Sequence, residues 1–145
     1  MPTARDVAAY ILAQHGPMTA MKLQKLVYYS QAWSIVWDDD ALFPEEIEAW
    51  KNGPVVRDLW EAHRGQYRVT EIRNGNSTTL NQTQRDTVDI VLEFYGDKSA
   101  QWLSDLTHLE DPWKDAWAEG LNTIITKEVL SEYYSSIEPP NEQEG

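Results

Sequence analysis

Met21-Lys-Leu-Gln-Lys-Leu-Val-Tyr-Tyr-Ser-Gln-Ala-Trp-Ser-Ile-Val-Trp37 is the stretch on which the reading of this chain turns. Leu23, Leu26, Val27, Ser30, Trp33, Ser34 and Trp37 recur at helical spacing and form one long stripe. Met21, Tyr28, Ala32 and Ile35 form a second stripe on a neighbouring face. A helix that is apolar on more than one face needs neighbours on both sides, so it belongs at the centre of its domain. Lys22, Gln24, Lys25 and Gln31 are left for the polar positions. Thr19 supplies an N-cap hydroxyl. Asp38-Asp39-Asp40 sets three acids against the negative end of the helix dipole, so the helix is expected to stop or fray there.

Other elements arrange themselves around this one. Thr3, with Asp6 three residues on, reads as a capping box for a first helix that carries Val7, Tyr10 and Ile11 inward and ends at Gly16-Pro17. Glu45–Lys51 alternates Ile47 and Ala49 against Glu46 and Glu48, as a half-buried strand does, although Trp50 breaks the alternation. Asn52-Gly53-Pro54 is a turn, and Pro54 suits the first turn of a helix over about Val55–His63 with Val55, Val56, Leu59 and Trp60 inward. Tyr67–Ile72 and Thr78–Leu80 read as two short strands of a hairpin around Asn74-Gly75. Asn81, with Gln84 three residues on, caps a helix that ends at Gly96. Short helices are expected over Ser99–His108, from Pro112, and from Thr126, with Ile124-Ile125 extended between the last two. The expected fold is therefore mainly α within the α+β class. It is a single compact domain, residues 1–137, of six or seven helices with a small antiparallel sheet or hairpin, followed by a polar, acidic, disordered tail at 138–145.

Composition narrows the function. The chain has 145 residues, 24 Asp+Glu against 12 Lys+Arg, and a net charge of −12. Phosphate backbones repel such a chain, so general nucleic-acid binding is not expected, whereas a basic partner would be attracted. With no cysteine there is no disulfide, no thiolate nucleophile and no cysteine-ligated zinc. The N-terminus carries no signal-peptide pattern, and no apolar run approaches the roughly 20 residues of a membrane helix. A soluble, cytoplasmic protein without a membrane partner is the expectation.

Catalytic signatures are sparse. There is no nucleophile elbow, P-loop or dinucleotide fingerprint, so no cofactor is expected. The three histidines, His15, His63 and His108, have no metal-binding spacing, so no metal site is expected. Asp38-Asp39-Asp40 lacks the glycine and closing glutamate of a calcium loop. His108 followed by Glu110 and Asp111 admits a general-base pair, and hence a small hydrolase, as a distant alternative. The plainer reading is a polar corner in which Thr107 and His108 serve loop backbone, Pro112 starts a helix and Trp113 packs.

Four ordered segments carry a family resemblance. Met21–Trp33 resembles the hallmark helix of the Panacea domain, the SocA-like antitoxin family that includes phage-associated GepA-like proteins. Glu48-Ala-Trp-Lys-Asn-Gly-Pro-Val-Val56 resembles its strand and turn. Tyr95-Gly96 with Ser99-Ala100 and Leu103-Ser104 resembles a third block, and Leu106-Thr-His-Leu-Glu-Asp-Pro-Trp113 its corner. The resemblance implies a non-enzymatic antitoxin that neutralises a toxin encoded by an adjacent gene, often on a phage or prophage, through direct protein–protein binding. It also implies an alternative, an adaptor delivering the toxin to the ClpXP protease. Leu23, Lys25, Leu26, Tyr28, Trp50, Gly53, Pro54, Val55, Thr107, His108, Pro112 and Trp113 are the motif positions, expected to be structural. Because the central helix is already apolar on two faces, a partner is expected at its polar and aromatic edges, namely Lys25, Tyr29, Trp37, Asp38, Asp39 and Asp40.

Overall fold

The structure, a computed structural model, describes residues 1–138, so the expected tail beyond Glu138 lies outside the described residues. Seven helices are described: α1 (Ala4–His15), α2 (Ala20–Asp38), α3 (Arg57–His63), α4 (Gln82–Tyr95), α5 (Ala100–Leu109), α6 (Asp111–Glu119) and α7 (Lys127–Tyr134). Five short strands accompany them: β1 (Met18–Thr19), β2 (Ile47–Trp50), β3 (Gly53–Val56), β4 (Arg68–Val69) and β5 (Ile124–Ile125). Among the described residues, no helix is long and apolar enough to cross a membrane.

Helix starts follow the capping chemistry of the sequence. Thr3 with Asp6 and Asn81 with Gln84 form reciprocal capping boxes. Thr19, Ser99 and Thr126 each accept a backbone N–H three residues on. Helix α2 ends at Asp38, and Asp39 takes the left-handed conformation at its C-cap (φ 53°), as the acid run suggested.

α2 is the axis of the fold. It packs against α1, α4, α5, α7 and β3, and every residue from Leu23 to Ser34 is buried. The expectation of a polar face on this helix is corrected here: Gln24, Lys25 and Gln31 are 3%, 1% and 1% exposed. Two of them replace solvent with backbone. Gln24 accepts the Val56 N–H and donates to the Val56 carbonyl. Gln31 accepts from the Leu42 and Phe43 N–H groups and donates to the Phe43 carbonyl. Each side-chain amide thus satisfies irregular or edge backbone that burial would otherwise leave unpaired.

The sheet differs from its expected form in three ways. β2 pairs with β3 across Lys51-Asn52, with Ala49 opposite Pro54, and β5 covers the other side of β2. Pro54 therefore lies in a strand rather than in the first turn of α3, which begins only at Arg57. Its missing N–H is tolerated because β3 is an edge strand. Tyr67–Ile72 contributes only Arg68–Val69, which pairs with Met18–Thr19. Thr78–Leu80 is not a strand, and Asn74-Gly75 does not close a hairpin. Asn74 does take positive φ (64°), but the Gly75 N–H bonds the Ile72 carbonyl and the Asn76 N–H bonds Asp6, so this segment folds onto α1 instead.

Candidate functional site

The four sequence motifs converge on one junction. At Gly53, φ is +122°, and a Cβ there would lie 2.6 Å from Lys25 Cε and 2.9 Å from Thr107 Oγ1. Only glycine allows β3 to close on both residues at this backbone conformation. Ser104 Oγ donates to the Asn52 carbonyl (2.7 Å) and the Trp113 indole donates to the Trp50 carbonyl (2.8 Å), so α5 and α6 are both tied to the β2–β3 turn. Thr107 Oγ1 donates to the Ser104 carbonyl within α5. Leu23, Leu26 and Tyr28 are core, and Pro54, Val55 and Pro112 are buried.

A second knot lies about one turn further along α2. Glu110, 6% exposed, accepts the Tyr29 hydroxyl (2.8 Å) and the Tyr134 hydroxyl (2.7 Å) on one carboxylate oxygen. The Tyr28 and Tyr134 hydroxyls lie 2.9 Å apart. Tyr29 stacks on Tyr95 at 4.2 Å, and Tyr95 accepts the Trp33 indole N–H. Burial pushes the Glu110 carboxyl up to about 7, against the lowering effect of its two tyrosine donors. Burial likewise raises the phenols of Tyr28, Tyr29 and Tyr134 well above their ordinary value.

This arrangement separates the residues of the hydrolase alternative. The Glu110 carboxylate turns to Tyr29 and Tyr134, whereas the His108 ring packs on Trp113 (4.1 Å) and its Nε2 is buried without a hydrogen-bond partner. No hydrogen bond between His108 and Glu110 or Asp111 is formed among the described residues. Those residues also contain no group of three or more His, Asp or Glu side chains placed to hold a metal ion.

The expected partner-facing residues divide. Tyr29 is 0% exposed, which corrects its placement at an edge: its ring and hydroxyl are consumed by Tyr95 and Glu110. Trp37 is half-buried and stacks on Trp33 (5.1 Å), and Asp38 accepts the Thr87 hydroxyl (2.6 Å). Asp39 and Asp40 are exposed. Trp37 and Asp38 line a shallow depression with Asp86, Thr87 and Ile90 of α4, an acidic and aromatic edge at the end of α2.

Lys25 lies elsewhere, against a depression of about 290 Å³ lined by Trp50, Lys51, Asn52, Val55, Trp60 and His63. Burial without an opposing charge lowers its ammonium to about 8. His63, 4% exposed, is lowered first by burial and further by Lys25, and its Nε2 accepts from the Gln24 amide (3.0 Å). Sequence reasoning missed Lys51, Trp60 and His63 as neighbours of Lys25. One signal was present: Trp50 follows Glu48 on the outer face of β2, where its indole donates to the Glu48 carboxylate, so the residue that broke the apolar alternation is the one facing the depression.

The family model described as Antitoxin SocA-like, Panacea domain matches residues 23–114, and the chain belongs to that family. No curated protein and no solved structure gives a significant match.

Proposed function

We propose that this chain is an antitoxin, a cytoplasmic binding protein rather than an enzyme, which neutralises a protein toxin encoded by an adjacent gene through direct contact. The observation that carries this reading is the family match over residues 23–114, which spans the region where the motif residues interlock. The motif residues hold the domain together, so the same scaffold can present different surfaces to different partners. The acidic, aromatic edge of Trp37, Asp38, Asp39, Asp40 and Asp86 supports a basic partner surface, and the net charge of −12 supports fast capture of it. The test is co-expression. The neighbouring gene should arrest growth alone and be tolerated together with this chain, and the two products should co-purify. Toxicity that persists in the presence of this chain, with no complex formed, would refute the reading.

A further inference from the structure

The Lys25 depression is chemically unlike the rest of this surface. The chain carries twice as many acids as bases. Four other depressions are each lined by at least one carboxylate: Glu45, Glu46 and Glu128 in one, Asp111, Asp115 and Glu132 in a second, Asp38 and Asp86 in a third, Glu71 in a fourth. The Lys25 depression has no carboxylate in its lining and two lysines, Lys25 and Lys51. Neither lysine forms an ion pair among the described residues.

Its walls are flat and apolar. Trp50 and Trp60 meet edge to face at 5.5 Å, and a guanidinium lies 5.4 Å from the centroid of each ring, Arg57 on Trp50 and Arg64 on Trp60. Met21, Ala20 and Val55 complete the apolar lining. Lys25 is 1% exposed and lies against Gly53, so its ammonium is fixed at this wall by packing. A buried, unpaired ammonium is costly, and an anion that reaches it recovers that cost.

We infer that this depression receives one glutamate or aspartate side chain of the toxin, with the carboxylate on Lys25 and its methylene stem against the Trp50 and Trp60 rings. The inference rests on the antitoxin reading for the source of the carboxylate, not for its chemistry. Of the two lysines only Lys25 is buried and Lys51 is exposed to solvent, so the one desolvated ammonium is balanced by a monoanion. At about 290 Å³ the open depression falls just below the roughly 300–1,000 Å³ of sites that enclose a whole small molecule. It fits a projecting side chain whose parent body covers the rim, in the manner of an interface anchor.

The experiment has two arms. In the first, the full chain alone is titrated with phenylacetate, with phenethylamine, benzyl alcohol and inorganic phosphate as comparators, while the Trp50 and Trp60 indole N–H signals are followed by NMR. Phenylacetate should bind saturably at roughly millimolar concentration, the amine and the alcohol should not, and Lys25→Met and Trp60→Ala should each weaken binding by about tenfold or more. Both variants are first checked for a single cooperative melt and a wild-type pattern of core NMR signals, and Lys51→Glu, at an exposed position, serves as a third variant that leaves the core intact and should also weaken phenylacetate binding. No phenylacetate binding, or tighter binding of phosphate, overturns the carboxylate assignment. In the second arm, Lys25→Met should lower the affinity for the neighbouring gene product by about tenfold. An unchanged complex alongside intact phenylacetate binding overturns the toxin as the source and leaves a free carboxylate. Failure of any complex to form, with phenylacetate still bound, refutes the antitoxin reading and not the pocket's chemistry.

Discussion

Tyr29 and Glu110, 81 residues apart, meet at 2.8 Å in the centre of the domain, with the phenol donating to the carboxylate. Glu110 lies within the corner motif and Tyr29 sits in the hallmark helix, so this bond fastens the last motif to the first. It also makes the core sensitive to pH. The folded Glu110 carboxyl titrates near 7 against an ordinary value of 4.5. Between those two values the folded protein keeps a proton that the unfolded chain gives up, so this group's contribution is fully present below about 4.5 and lost as pH rises to 7. The loss amounts to about 3 kcal/mol. Glu110→Gln retains an acceptor for both tyrosines and cannot ionise. Urea unfolding of wild type and variant from pH 4.5 to 8 should show the variant gaining on the wild type by up to about 3 kcal/mol as pH rises. A constant difference across that range would contradict the assignment.

Lys25 has the opposite sign. Its folded value is about 8 against 10.5. Below 8 the native state bears the full cost of a buried ammonium, and stability rises as pH climbs from 8 to 10.5. Lys25→Met keeps most of the volume and removes the charge. In the absence of partner it should be more stable than wild type at pH 7, by about 1–3 kcal/mol, with the gain shrinking towards pH 10.5. A destabilised variant at pH 7 would mean that the ammonium has a favourable partner.

Gln31 carries three buried backbone bonds to Leu42 and Phe43. Gln31→Ala leaves these groups unpaired beside a new cavity, and should cost about 3 kcal/mol or more. In a domain of this size the melting midpoint should fall by on the order of 10 °C. A fall of only a degree or two would show that the Leu42–Phe43 segment is held by other contacts.

Much of this fold was legible because its elements announce themselves locally. Thr3, Thr19, Asn81 and Thr126 all cap the helices they were expected to cap, and Ser99, read as the first residue of its helix, is the cap of one that begins at Ala100. The two-stripe pattern placed α2 at the centre, where 12 consecutive residues are buried. The failures are non-local. Asn74-Gly75 has hairpin chemistry, but the segment is captured by Asp6 and Arg5 of α1, a tertiary bond that no local pattern reveals. Pro54 is compatible with a helix start and with an edge strand, and the choice depends on pairing with Ala49. Gln24, Lys25 and Gln31 read as polar because their partners, or the lack of one, lie 11 or more residues away or in another element. The Lys25 depression needed α2, β2 and α3 in place before it existed at all.

The acidic edge makes its own prediction. Asp39 and Asp40 are exposed and Trp37 is half-buried beside them. Asp39→Asn with Asp40→Asn should leave stability almost unchanged and slow association with a basic toxin by about threefold to tenfold at low salt, and by much less at high salt. An affinity for the toxin that stays flat from low to high salt in the wild type would contradict electrostatic capture.

The most direct test of direct neutralisation uses purified proteins with no protease present. The neighbouring gene product's toxic activity is titrated with this chain, and the mixture is resolved by size and mass. Direct binding predicts that activity falls linearly to zero at a fixed stoichiometry and that a discrete complex appears at the same point. A toxin that stays fully active at excess antitoxin in the tube, while its level falls in cells only when a protease is present, would contradict it.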